Sequence, residues 1–210
     1  MAQIHALAGT PGKQPVRRLH AVDGKGEPAS LDERGRVRRF EELFATHLDA
    51  AYNFARWLTR DERNAEDVVQ ESCLRAFKSL DSFHGGNGRA WLLAIVRNTY
   101  YTWLKKTRAE RLNVSFDDET MEAGELASLE SDARPVDQAL QQQDTRRLVN
   151  AALGQLPEEF REVIVLRELE DLSYKEIAAI AGIPLGTVMS RLARARKLLL
   201  QHLQHVQRES

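Results

Sequence analysis

The chain has 210 residues, enough for one large or two small domains. Its 42% hydrophobic and 29% charged residues exclude a wholly disordered chain. No uncharged apolar run reaches the roughly 18 residues that cross a bilayer. The N-terminus has no apolar stretch followed by a small-residue cleavage site, and the single cysteine, Cys73, excludes an internal disulfide. The expectation is therefore a cytoplasmic chain in a reducing compartment. A formal net charge of −1 conceals strong segregation along the chain: residues 75–108 hold seven Lys/Arg against one Asp, and 177–210 hold five against one Glu. Acidic residues are in excess by five over 41–74 and by eight over 109–145. Basic blocks suit a polyanion, and acidic faces suit a basic partner or another protein.

In chain order, residues 1–35 contain glycines and Pro11, Pro15 and Pro28 without apolar periodicity, and read as a flexible basic arm. Proline is then absent until Pro135. Phe40, Leu43, Phe44, Leu48, Ala51, Tyr52 and Ala55 recur at spacings of three and four and predict a first helix. A second runs from about Asn64 to Leu80. On it Val68, Val69, Ser72, Cys73, Ala76, Phe77 and Leu80 share one face, which makes Cys73 a small buried hydrophobe. The other face carries Asp67, Gln70, Glu71, Leu74 and Lys78. Leu74 among carboxylates is either a stray exposed leucine or the anchor of a protein-docking face with a basic partner, and composition leaves the two even.

A loop from Asp81 to Gly88 leads to a third helix from about Asn87 to Arg108. There Trp91, Tyr100, Tyr101 and Trp103 are interleaved with Arg89, Arg97, Asn98, Lys105 and Lys106. Rings on which bases stack, beside cations that follow phosphates, suit single-stranded nucleic acid, although core packing is the commoner fate of any one tryptophan. The loop lacks the Gly-Lys-Ser/Thr of a Walker motif. As a recognition loop it would set Phe83, His84, Asn87 and Arg89 around an extruded base.

Residues 109–134 are acidic and read as a mobile linker. A second helical block opens near Pro135, with breaks at Gly154–Pro157, Leu172–Ser173 and Gly182–Pro184. Ser173 and Glu176 form the pattern of a capping box, Gly182 ends the helix, and Ile183-Pro184 prevents its continuation. A following helix starts near Leu185 and buries a stripe of Val188, Leu192, Ala195 and Leu199, leaving Thr187, Ser190, Arg191, Arg194 and Lys197 outside. A short capped helix, a glycine turn and a longer helix with a basic face form a helix-turn-helix that suits the major groove; the alternative is a plain helical hairpin. No period-two alternation and no internal repeat is present. The fold class is all-α: two small helical domains, 36–108 and 135–204, joined by the acidic linker.

Taken together, these strings resemble the extracytoplasmic-function (ECF) group of the bacterial sigma-70 family. AEDVVQESCLRAFKSL (65–80) is similar to the family's region 2.2, and AWLLAIVRNTYYTWLKK (90–106) to regions 2.3 and 2.4. LPEEFREVIVLRELEDLS (156–173) with the helix-turn-helix is similar to region 4. The resemblance implies a sigma factor that directs core RNA polymerase to promoters. Asp67, Gln70, Glu71 and Leu74 would dock on the β′ clamp helices. Phe83, Asn87, Arg89, Trp91, Arg97, Asn98, Tyr101 and Lys105 would open and hold the −10 element. Thr187, Ser190, Arg191, Arg194, Arg196 and Lys197 would read the −35 duplex. It also implies a contact with the β flap, a linker running near the polymerase active-site and RNA-exit path, and a dedicated anti-sigma factor that can hold the chain at the membrane.

Two departures, Met189 and Ala193 on the recognition helix, bear on which −35 sequence is read, and the arm has no counterpart. With the chain ending soon after region 4, the expectation is that no added C-terminal sensory domain is present. No cofactor is implied. His202 and His205 lack a third metal ligand, and no nucleophile–base set stands out, so an enzyme is the least favoured class. A sigma-like decoy that sequesters an anti-sigma factor and a stand-alone helix-turn-helix repressor are the competing readings.

Overall fold

The computed structural model describes residues 31–114 and 147–209. The arm up to residue 30, linker residues 115–134 and the start of the second block at Pro135 lie outside the described residues. The first half is built from α1 (Leu31–Phe44), a 3-10 turn (Ala45–His47), α2 (Leu48–Thr59), α3 (Glu62–Lys78), a second 3-10 turn (Leu80–Ser82) and α4 (Gly88–Val114). The second half has α5 (147–155), α6 (Glu158–Ile164), a wide π-type turn (Val165–Leu169), α7 (Tyr174–Ala181) and α8 (Leu185–Glu209). Among the described residues there is no strand.

Local signals start and stop these helices. The Asp61 side chain accepts from the Asn64 backbone N–H at 2.8 Å and caps α3. The inner face of α3 buries Ala65, Val68, Val69, Ser72, Cys73 and Ala76, spaced three and one, against α2 and α4. Phe40 and Phe44 of α1, Phe54 and Leu58 of α2, and Leu92, Leu93 and Val96 of α4 complete that core. In the second half, Leu153, Leu156, Ile164, Leu166 and Ile177 pack against the α8 stripe of Val188, Leu192, Ala195 and Leu199.

Three expectations need correction. The helix read through Phe40–Ala55 is two helices separated by Ala45–His47, because the apolar spacing stays at three and four across the break and so conceals it. Residues 31–35, assigned to the arm, belong to α1. Residues 109–114, assigned to the linker, extend α4.

Candidate polymerase and nucleic-acid interfaces

On the outer face of α3, Asp67, Gln70 and Glu71 are exposed, and Leu74 is 50% exposed. Glu71 accepts from Arg75 at 2.7 Å one turn away, a surface pair of small energetic consequence. The face is an apolar knob flanked by Asp67, Gln70 and Glu71 on its N-terminal side and by Lys78 on the other. The Cys73 side chain points the other way, and burial pushes its thiol up to about 11, as expected of a buried hydrophobe.

The loop before α4 buries its aromatic residue, whereas His84 to Asn87 are exposed. Phe83 is 8% exposed and lies 5.4 Å, centroid to centroid, from Phe44 and 5.2 Å from Trp91. Trp91 in turn stacks on Phe44 at 5.0 Å. Phe83 and Trp91 therefore form an aromatic core that anchors the loop, which corrects the expectation that Phe83 lines a cavity for a flipped base. Asn87 caps α4, its Oδ1 accepting from the Ala90 N–H at 3.1 Å.

The remaining side chains of α4 divide into two sets. Asn98 and Lys105 are exposed. Arg97 and Tyr101 are half-buried, with the Arg97 guanidinium 4.6 Å from the Tyr101 ring centroid. Both converge on Glu162 of α6: Arg97 makes a close ion pair with it, and the Tyr101 hydroxyl donates to Glu162 Oε2 at 3.2 Å. Arg89 pairs with Glu170, and the Asn87 amide donates to Glu176. Glu162 is 1% exposed; its burial raises its pKa although Arg97 and Tyr101 hold the charged form. Burial also raises Tyr101, reinforced by Glu162. Sequence reading passed over Glu162 and Glu170, and gave Glu176 a capping role only. The signal available was Arg161-Glu162 inside the apolar run from Phe160 to Leu166, where a charged pair needs partners.

The helix-turn-helix forms as expected. Ser173 Oγ accepts from the Glu176 N–H at 3.3 Å, and Glu176 accepts from the Ser173 N–H at 2.8 Å, completing the capping box. Gly182 adopts φ +65°, the chain turns through 101° between α7 and α8, and the three-residue connection ends at Pro184. Ser190, Arg194 and Lys197 face solvent, Thr187 is half-buried, and Met189 is 49% exposed among them. Arg191 pairs with Glu159 at 2.9 Å. Arg196 binds Glu168 through Nε at 3.1 Å and Nη2 at 2.7 Å. These two arginines tie α8 to α6 and to the wide turn, so in this structure they are framework contacts while Arg194 is open to solvent. Among the described residues no cluster of His, Cys, Asp and Glu has the form of a metal site, and no single helix is long and apolar enough to cross a membrane.

Comparison with known proteins follows the same division of the chain. The family model for sigma-70 region 2 matches residues 43–110, and that for sigma-70 region 4 matches 146–199. The RNA polymerase sigma-H factor of Pseudomonas aeruginosa is 31% identical over 181 residues, which cover 85% of this chain and 93% of that protein. The chain belongs to the sigma-70 family, in its ECF group.

The ECF RNA polymerase sigma factor SigE of Mycolicibacterium smegmatis is 32% identical over 184 residues, 86% of this chain but only 65% of that protein. The ECF sigma-E factor of Escherichia coli K12 is 39% identical over 137 residues, covering 63% and 70% of the two chains. Among solved structures, the sigma factor RpoE of Bartonella quintana in complex with the anti-sigma factor NepR superposes with a TM-score of 0.61 at 29% identity. That match covers 80% of this chain and 98% of the other. CnrH in complex with the cytosolic domain of CnrY gives a TM-score of 0.55 at 30% identity, covering 80% and 89%. Region 2 of this sigma factor therefore holds the exposed Leu74 and the aromatic–basic α4, and region 4 holds the helix-turn-helix.

Proposed function

We propose that this ECF sigma factor is a non-catalytic specificity factor: it docks on core RNA polymerase, recognises the −35 duplex through region 4, and captures and helps melt the −10 element through region 2. The observation that carries the reading is that three surfaces of different chemistry sit on separate helices: Leu74 among acids on α3, rings and cations on α4, and exposed Ser190, Arg194 and Lys197 on α8. A stand-alone repressor needs only the last of these. The decoy reading has no use for the two basic blocks.

Asp67, Gln70, Glu71 and Leu74 are assigned to the β′ clamp helices, with a further region 4 contact to the β flap. Asn98, Lys105, Arg97, Tyr101, Arg89 and Asn87 are assigned to the −10 strand, with Phe83 and Trp91 holding the loop and helix that carry them. Ser190, Arg194, Lys197 and Thr187 are assigned to the −35 groove, with Arg191 and Arg196 fixing the angle of α8. One solved relative, RpoE of Bartonella quintana, is bound to an anti-sigma factor, which supports a dedicated anti-sigma partner for this chain as well. The site of action is the cytoplasm, where the polymerase works.

The energetics fit such a division of labour. Extruding a base costs a few kcal/mol. Stacking and pocket contacts return about 1–3 kcal/mol per base, so melting needs a captured base together with help from the polymerase. Phosphate contacts by region 4 supply register and affinity and are salt-sensitive. Two weak modules gain selectivity once the polymerase fixes their separation.

The test is to add the purified chain to sigma-free core polymerase with fragmented DNA of its source genome and to sequence the 5′ ends of the transcripts. Discrete starts that share two upstream boxes and are absent without the chain are expected. Core binding without transcripts would point to a decoy, and duplex binding without core binding to a repressor.

A further inference from the structure

Four of the side chains assigned to the −10 strand are already held by carboxylates from the other half of the chain. Glu162 on α6 takes Arg97 and Tyr101, Glu170 in the loop after the wide turn takes Arg89, and Glu176 on α7 takes Asn87. The contact goes beyond these pairs, since Arg60 Nη2 also donates to the Leu156 carbonyl across the same seam at 3.4 Å. A carboxylate offers a guanidinium the same planar pair of acceptor oxygens that a phosphate offers. Glu162, Glu170 and Glu176 thus present a row of negative oxygens to donors that would otherwise face a nucleic-acid backbone. Asn98 and Lys105 lie outside the seam, and so do Ser190, Arg194 and Lys197 of α8.

We propose that Glu162, Glu170 and Glu176 act as an intramolecular stand-in for the promoter strand, so that packing of region 4 on region 2 withholds the −10 reader until the two halves separate. The proposal rests on the −10 assignment made above. Closure masks the Asn87, Arg89, Arg97 and Tyr101 part of the −10 reader and spares the other reader: the closed chain keeps its −35 face. The lock is specific rather than strong, because moving Glu162 and Glu170 out of water offsets much of what their partners return. A polymerase that holds the two halves apart therefore has little to overcome.

The test uses the full chain, small-angle X-ray scattering for compactness, and fluorescence anisotropy with a labelled single strand carrying a −10 box taken from the mapped starts. Glu162→Lys sets two cations against each other at Arg97; it is expected to enlarge the radius of gyration and tighten single-strand binding about tenfold, the gain from populating a binding-competent form that is otherwise about one-tenth occupied. Binding to the −35 duplex is expected to stay unchanged. Glu170→Lys serves as the second variant should Glu162→Lys lower the helical content seen by circular dichroism. The charge-swapped double variant Arg97→Glu/Glu162→Lys is expected to return to the compact form, which general unfolding would not produce.

An already extended wild-type chain, or single-strand affinity unmoved by Glu162→Lys while Arg97→Ala abolishes binding, overturns the lock and leaves the −10 assignment standing. If Glu162→Lys opens the chain and Arg97→Ala in that background still leaves binding unchanged, the −10 assignment falls and takes the lock with it.

Discussion

Cys73 and Leu74 are neighbours in sequence with opposite fates, because adjacent residues on a helix face about 100° apart. Burial of the Cys73 thiol, with its pKa at about 11, keeps it protonated at neutral pH. Folded protein is expected to react with a thiol-specific disulfide reagent only at its opening rate, and fast stoichiometric labelling would contradict this. Leu74 is exposed beside Asp67, Gln70 and Glu71. Leu74→Asp is expected to weaken binding to core polymerase by about 2 kcal/mol, as loss of an apolar anchor does, with the thermal melt unchanged; normal recovery in a pull-down would remove the docking face. Arg194 is open to solvent while Arg191 and Arg196 are engaged by Glu159 and Glu168. Arg194→Ala should cost about 1–3 kcal/mol in −35-dependent binding, and unchanged transcript output would take it out of the reader. Helical phase placed Arg191 and Arg194 on one face, and the family resemblance added Arg196; neither gives the ion pairs made across the helix.

At the level of elements, the helix-turn-helix was the most legible part of the chain, because its punctuation is chemical. Ser173 and Glu176 form both capping bonds, and Gly182 takes the left-handed conformation that a side chain would strain. Those bonds also hold the Glu176 carboxyl below its usual range, with the Ser173 side chain the largest cause. A depressed carboxyl stabilises the fold above its unfolded value, and that contribution is lost as the pH falls through the folded one. Ser173→Ala is expected to cost about 1 kcal/mol at neutral pH and less in acid, as measured by urea denaturation at both; an equal cost at the two pH values would contradict the capping account. The junction of α1 and α2 was illegible for the opposite reason. No proline, glycine or side-chain cap marks Ala45–His47, and the apolar spacing runs through it undisturbed. The loop at Phe83 was misread because an aromatic residue in a glycine-rich stretch looks exposed, whereas here it completes a cluster with Phe44 and Trp91.

For the whole molecule, charge segregation announced two basic blocks and acidic stretches between them, but it did not show how the halves meet. The seam is made by single residues, Arg97 with Glu162 and Arg89 with Glu170, 65 and 81 positions apart. No local pattern encodes such pairs. On the proposed −10 assignment, strand capture by region 2 and closure by region 4 would draw on the same donors, while Asn98 is exposed and clear of the seam. Asn98 is therefore the side chain whose loss should impair promoter opening without altering closure.

Permanganate reactivity of thymines in the −10 box tests the central claim most directly, using sigma-free core polymerase on a mapped promoter. The wild-type chain is expected to make those thymines reactive, core alone to leave them protected, and Asn98→Ala to retain duplex binding with markedly lower reactivity. Thymines that stay protected with the wild-type chain bound, or that open equally well with Asn98→Ala, would contradict strand capture by α4.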